Sequence, residues 1–245
     1  MDYLKSCEYS IRLINRLKEF DKQNKLDFEL INKAIYWAKK YHDGQFRKNG
    51  EPFYTHPLEV AYMISEYSIK TDVIVTSILH DIVEDTEVTV GMIIDAFGWR
   101  IGEMVDRLTR DRPDGTKLSV EDILDNAYAK GDKEVLLVKI IDRLHNMQTI
   151  SGISKEKQVM QVKETLYNFT LIIEEFSLNK VSQIIFNICD DIVLFPNKNM
   201  TYNTLSTFDK TFILPVLFYQ SDLLPNKISN QQELELEKYH SIDNT

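Results

Sequence analysis

Between Leu79 and Thr86 the sequence reads Leu-His-Asp-Ile-Val-Glu-Asp-Thr, which places one imidazole and three carboxylates, His80, Asp81, Glu84 and Asp85, within six residues. Imidazole and carboxylate together hold cations and move protons. On a continuous helix, Glu84 would lie one turn above His80 and Asp85 one turn above Asp81. Neighbouring residues on a helix point about 100° apart, so His80 and Asp81 would straddle one edge of a face and meet a cation between them. Ile78, Ile82 and Val83 keep the stretch inside an apolar pattern, which argues against a solvated face. The plainer alternative is an acidic helix end around a packed histidine. Further ligands elsewhere in the chain would decide between the two.

The elements that must position these groups read as helices throughout. Gly (8) and Pro (6) are scarce among 245 residues, and no alternating Val, Ile and Thr runs recur between Gly-rich turns, so the fold class expected is all-α. Met1 to Asn24 reads as an amphipathic helix with Ile11, Ile14, Leu17 and Phe20 on one face. Phe28 to Tyr41 follows, with Asp27 as its cap and a break at Asp43-Gly44. A polar loop from Gln45 to Pro52 carries the basic pair Arg47-Lys48, where an anion would be met by a fixed loop.

Thr55-His56-Pro57 opens the next helix, since Pro57 suits a first turn, and that helix is expected to reach Tyr67. His56 would then project at a helix start. Asp72 opens the His80-bearing helix. Helices from Thr89 to Phe97 and from Trp99 to Leu108 are split at Gly98, and Thr109 to Leu118 is a charged loop. Ser119 and Asp122 fit a capping box for a helix to Lys130. Glu134 to Ile150 is strongly apolar until Asp142, whose charge there needs a partner or a metal. Its neighbour Arg143 is the simplest partner. Ser154 to Leu178 and Asn179 to Phe195 read as two last helices before the composition shifts at Pro196. Of the segments beyond it, Phe212 to Leu224 is an apolar patch that could dock on the body.

Composition excludes several function classes. A net charge of −9 argues against general DNA or RNA binding, which needs a broad basic surface. No apolar run approaches the ~18 residues that span a membrane. Met1 to Phe20 is charged throughout and does not read as a signal peptide. Cys7 and Cys189 offer neither a disulfide framework nor a CxxC motif, which fits a reducing, cytoplasmic setting.

His56, His80, Asp81 and Asp142 together supply two imidazoles and two carboxylates from three helices. Such a mixed N/O set suits Mn²⁺, with Fe²⁺ or Zn²⁺ as alternatives, and leaves about two octahedral positions for water and a substrate oxygen. An ion of this kind acidifies bound water and polarises a phosphoryl group. Glu84 and Asp85, one turn on, are placed to orient or deprotonate that water.

This set resembles the HD phosphohydrolase pattern. More closely, the chain resembles the hydrolase domain of the RelA/SpoT family, which removes the 3′-diphosphate of (p)ppGpp. The resemblance is carried by His42-Asp43-Gly44-Gln45-Phe46-Arg47-Lys48-Asn49-Gly50-Glu51-Pro52-Phe53, Thr55-His56-Pro57-Leu58-Glu59-Val60-Ala61, the Leu79 to Thr86 stretch, Phe97-Gly98, Asp142-Arg143-Leu144-His145-Asn146-Met147-Gln148-Thr149 and Glu164-Thr165-Leu166. It covers roughly residues 28–170. It implies a helical bundle with one Mn²⁺ on His56, His80, Asp81 and Asp142, with Glu84 and Asp85 acting on the attacking water. It also implies a nucleotide pocket lined by Arg47, Lys48 and Asn146, with Thr149 nearby. His145 and His42 read as structural, His145 facing away from the Asp142/Asn146 pair.

The chain departs from the family at Gln148, where Arg is usual and a phosphate contact would be lost, and at Phe53, where Tyr is usual. A third departure is Asp106-Arg107-Leu108-Thr109. Residues 1–196 are expected to form the hydrolase domain and residues 197–245 a C-terminal extension, partly docked or flexible. Nothing after Pro196 resembles the family's synthetase domain, so a stand-alone or truncated hydrolase is expected. The implied partner is a guanosine alarmone of the stringent response. No nucleic acid or membrane partner is expected, and the oligomeric state stays open, a homo-oligomer included. Two rival readings remain: hydrolysis of another nucleotide at the same site, such as NADPH at its 2′-phosphate or a deoxynucleoside triphosphate, and a non-catalytic alarmone-binding module.

Overall fold

The structure, a computed structural model, describes residues 5–112 and 114–194. The readings made for residues 197–245, including the Phe212 to Leu224 patch, lie outside the described residues. Among those described there are no strands. The helices are α1 (Glu8–Phe20), α2 (Phe28–Tyr41), α3 (Thr55–Ile64), α4 (Thr71–Leu79), α5 (Ile82–Asp85), α6 (Val90–Phe97), α7 (Trp99–Leu108), α8 (Val120–Ala129), α9 (Lys133–Gln148), α10 (Lys155–Glu175) and α11 (Asn179–Cys189). One compact unit extends to Ile188.

Local chemistry starts these helices where the sequence asks. Asp27 Oδ1 accepts from the Leu30 amide at 2.9 Å, and Thr89 Oγ1 from the Met92 amide at 3.3 Å. Ser119 and Asp122 form the reciprocal capping box, with bonds of 2.8 and 3.0 Å. Asp132 caps α9 through the Val135 amide and is paired with Arg107 of α7. Gly98 separates α6 from α7 at φ 90° and ψ 162°, a conformation reserved for glycine.

The centre of the bundle is α4. Every residue from Val73 to Leu79 is buried, so the helix has no solvated face. It packs against α2, α3, α7 and α9, while α3 also packs on α1 and α9. Arg16 of α1 ties onto α3 through Tyr62 and Ser65 at 2.9 and 2.8 Å. Two segments project around this core. The α2–α3 loop closes as a hairpin through Arg47 N to Glu51 O (2.8 Å) and Phe53 N to Gln45 O (2.9 Å). The α7–α8 loop is pinned by a bridge between Asp111 and Lys117.

Several boundaries differ from the sequence reading. The expected helix through His80 to Asp85 is broken: α4 stops at Leu79, Asp81 turns out at φ −98° and ψ −7°, and α5 is a single turn. Asp81, Glu84 and Asp85 would otherwise stack three like charges along one face, which a continuous helix disfavours. The spacing survives only in part, through the Asp85 amide bonded to the Asp81 carbonyl at 3.1 Å. Helix α3 ends at Ile64 rather than Tyr67, and α9 at Gln148, followed by a 3₁₀ turn at Ile150–Gly152. Helix α10 ends at Glu175, where Ser177 adopts φ 53°. The last expected helix ends at Cys189, with a π turn over Asp190–Leu194. No helix among the described residues is long and apolar enough to cross a membrane.

Candidate active site

His56 sits at the start of α3, where its amide bonds the Phe53 carbonyl at 3.0 Å and its ring is buried. Its Nε2 lies 3.3 Å from Asp81 Oδ2 and 3.2 Å from Asp142 Oδ1. His80 ends α4, and its Nε2 lies 3.1 Å from Asp81 Oδ2 and 3.6 Å from Asp142 Oδ1. His80 Nδ1 donates to the Ser77 carbonyl at 2.7 Å, which leaves Nε2 as the ring atom that faces the carboxylates. The break after Leu79 is what lets Asp81 turn back between the two imidazoles.

The ligating atoms of His56, His80 and Asp142 all lie within 4.8 Å of one another. His80 Nε2 is fully buried and makes no well-formed hydrogen bond, although Asp81 stands beside it. A buried imidazole nitrogen left without a hydrogen bond, facing two carboxylates and a second imidazole, is a donor set that a divalent cation satisfies. The donor set and its geometry together fit a divalent-metal site.

The electrostatics follow from this crowding. Burial pushes Asp142 up, but Lys139, whose ammonium is 3.3 Å from Asp142 Oδ2, and the two imidazoles hold it well below the usual carboxylate range. Burial opposes ionisation of Asp81 too, and His80 and His56 overcome it. Burial lowers His80, but the two carboxylates raise it well above an ordinary imidazole. Asp85 is pushed up to about 6 by partial burial of its carboxyl and by the charges of Asp81 and Glu84.

Asp142, Asn146 and Thr149 share one face at the end of α9. Asn146 Nδ2 donates to Asp142 Oδ1 at 2.7 Å, and Arg47 donates to Asn146 Oδ1 at 3.2 Å and Thr149 Oγ1 at 3.0 Å. These groups, with Lys48, line a cleft of about 470 Å³ whose floor is His56, Asp81 and Asp142. Glu84 also lines the cleft, its Oε1 accepting from the Arg110 amide at 2.6 Å. Asp85 does not line it. Its carbonyl instead accepts from Gln45 at 2.7 Å, at the exposed end of the turn.

Some expectations are corrected. The partner of Asp142 is Lys139, one turn back, while Arg143 turns to Glu164 at 2.7 Å and lies over the Phe169 ring. Gln148 does not face the cleft. It lines a separate cavity of about 320 Å³ with Glu59, Tyr62 and Lys180, so its departure from the family pattern takes nothing from the cleft. Phe53 does line the cleft, stacked on His42 with ring centroids 4.7 Å apart. His42 caps the end of α2 and is buried, in keeping with a structural role.

His145 does turn away from the cleft, yet it touches a cluster residue: its Nδ1 is 2.8 Å from His56 Nδ1. Burial and neighbouring positive charge on His56 and Arg47 lower it to about 3. Its position three residues after Asp142 was the available signal. Lys139 and Arg110 were missed as well. Lys139 carried the same kind of signal, three residues before Asp142. Arg110 carried none, since only the fold of the α7–α8 loop brings it to the cleft rim.

Comparison with known proteins agrees with this geometry. The HD domain family model matches residues 34–172. The chain is 38% identical over 148 residues to a GTP pyrophosphokinase of Myxococcus xanthus, covering 57% of this chain and 20% of that protein. It is 31% identical over 195 residues to a probable guanosine-3′,5′-bis(diphosphate) 3′-pyrophosphohydrolase of Mycoplasma genitalium, covering 75% of this chain and 27% of that one. The chain thus spans about a quarter or less of these relatives. A solved structure described as a metazoan ortholog of SpoT that hydrolyzes ppGpp aligns with TM-score 0.47 and 17% identity, over 80% of this chain and 97% of its own. The family match takes in more than half of the 245 residues and encloses both the His/Asp cluster and its rim, and the chain accordingly belongs to the HD-domain family, in its RelA/SpoT branch.

Proposed function

We propose that the chain hydrolyses the 3′-diphosphate of guanosine tetra- or pentaphosphate, giving GDP or GTP and pyrophosphate, with Mn²⁺ as its metal. One observation carries the reading. His56, Asp81 and Asp142, with the buried His80 beside Asp81, form the floor of a cleft whose rim holds Arg47, Lys48 and Arg110, in a chain of net charge −9. Cations gathered at one cleft of an acidic protein suit a small polyanion. The guanosine assignment rests on the names of relatives such as the Mycoplasma genitalium protein.

In this reading His56, His80, Asp81 and Asp142 hold the ion, which supplies Lewis-acid polarisation of the phosphoryl group and lowers the pKa of water. Water adds to the phosphorus on the 3′ oxygen, the bond between them breaks, that oxygen takes a proton, and pyrophosphate leaves. Glu84, in the cleft, takes the proton of the attacking water. Asp85, outside the lining, holds the α5 turn through its backbone, its amide bonded to the Asp81 carbonyl and its own carbonyl accepting from Gln45. Arg47 forks a phosphate or stacks on the purine, Lys48 adds a point charge, and Asn146 and Thr149 fix Arg47. We assign the activity to the cytoplasm, consistent with the free thiols Cys7 and Cys189.

The test is pyrophosphate release from ppGpp with Mn²⁺, with chelator, and with Asp81→Ala. Release by the wild type alone supports the reading. A metal-loaded wild type that releases none, or that strongly prefers NADPH or a deoxynucleoside triphosphate, overturns it.

A further inference from the structure

The Nδ1 atoms of His145 and His56 lie 2.8 Å apart, with ring centroids separated by 4.8 Å. At that distance one nitrogen donates and the other accepts. The direction is set by the other side of His56. Its Nε2 faces Asp81 and Asp142 at 3.3 and 3.2 Å, so service as a metal ligand needs the lone pair at Nε2 and the proton at Nδ1. The acceptor of that proton is then the Nδ1 lone pair of His145.

His80 shows the same design with a different acceptor. Its Nδ1 proton goes to the Ser77 carbonyl at 2.7 Å, within its own helix. His56 does not use its own turn in this way: the matching carbonyl, that of Phe53, accepts from the His56 amide at 3.0 Å, and the Nδ1 of the ring faces His145 instead. A second element supplies the acceptor: α9, which already supplies Asp142, supplies it one turn further on.

His145 does not line the cleft that holds His56, Asp81 and Asp142. It forms part of the wall of the other cavity, beside Tyr62, Glu66 and Lys180. It therefore cannot touch a substrate in the cleft and can act only through His56. We propose that His145 is a positioning residue that fixes the tautomer and ring orientation of His56 for divalent-metal binding. The inference rests on the metal-site reading above and adds a residue to it.

The experiment compares Mn²⁺ and Zn²⁺ affinity of wild type, His145→Leu and His145→Asn, alongside thermal melting of each metal-free protein. Leu fills much of the ring volume but accepts no hydrogen bond. Asn places an amide oxygen near the Nδ1 position. Loss of an outer-shell partner typically weakens metal binding by about 10- to 100-fold. His145→Leu is expected to show that loss, and His145→Asn to recover most of it. A His145→Leu protein that binds metal as the wild type does overturns the proposal, as does a folded His145→Asn protein no better than His145→Leu.

Should His145→Leu not fold, ¹⁵N spectra of the histidine rings in Zn²⁺-loaded wild type still decide the matter. A protonated Nδ1 on His56 and an unprotonated Nδ1 on His145 are expected, and the opposite assignment overturns the proposal. A wild type that binds no divalent ion defeats the underlying metal-site reading instead.

Discussion

Arg47, in the hairpin between α2 and α3, donates to Asn146 of α9 at 3.2 Å, and the amide of Asn146 donates onward to Asp142 at 2.7 Å. A substrate-facing guanidinium and a metal-facing carboxylate are thus joined through one side chain. Asn146→Ala should therefore damage both functions: weaker metal binding, because Asp142 loses a donor, and a higher KM, because Arg47 loses a support. Hydrogen bonds to charged groups contribute about 1.5–3 kcal/mol, so kcat/KM should fall roughly 10- to 100-fold. Arg47→Lys should raise KM with metal affinity unchanged, since Lys keeps the charge but not the fork. Steady-state kinetics beside metal titrations separate the two effects.

Two carboxylates of the opening stretch should fail in different ways. Asp81→Ala removes an oxygen that lies within 3.3 Å of both imidazoles, and metal content should collapse with activity. Glu84→Gln keeps an oxygen to accept from the Arg110 amide, so the α7–α8 loop should stay anchored. Only the charge is lost, and removal of a general base costs about 10²–10⁴ in rate. Metal retention with kcat reduced on that scale is the expected result. A Glu84→Gln enzyme with wild-type kcat would remove Glu84 from the chemistry.

Most of the helices could be read from periodicity and caps, because those signals are local: Asp27, Thr89 and Ser119 do what their positions imply. The His56, His80 and Asp142 cluster was also legible, since imidazoles and carboxylates on apolar helices need partners and few others were available. What could not be read was tertiary choice. Asp142 has cations both at the next residue and one turn back, and only the packing of α10 shows that Arg143 leaves for Glu164. Arg110 reaches the cleft because its loop folds over Glu84, a contact across 26 residues. The break at His80 depended on charge crowding against helix continuity, which spacing alone does not settle.

Gly98 offers a clean test of backbone conformation. It holds φ 90° between α6 and α7, and a Cβ added there would meet nothing within 4 Å. Gly98→Ala should therefore be destabilising through backbone strain alone, by about 1–3 kcal/mol. Chemical denaturation should show a lower midpoint with an unchanged slope, and kcat below the melting transition should stay near wild type. A neutral effect would mean that the α6–α7 corner relaxes freely.

Glu134, in the first turn of α9, ties three helices together. It bonds Lys70, the cap of α4, at 2.7 Å, and is paired with Arg100 of α7. Partial burial pushes its carboxyl up, but Lys70 and Arg100 outweigh that and hold it below its usual value. A carboxylate with a depressed folded-state pKa stabilises the fold above its unfolded pKa, and that stability is lost as pH falls through the folded value. Glu134→Gln should therefore lower stability at pH 7 and converge with the wild type in acid. The groups are partly solvated, so the difference at pH 7 should be about 0.5–1 kcal/mol and shrink with added salt. Denaturant midpoints of the two metal-free proteins between pH 7 and pH 3 measure it, and a gap that widened in acid would contradict the assignment.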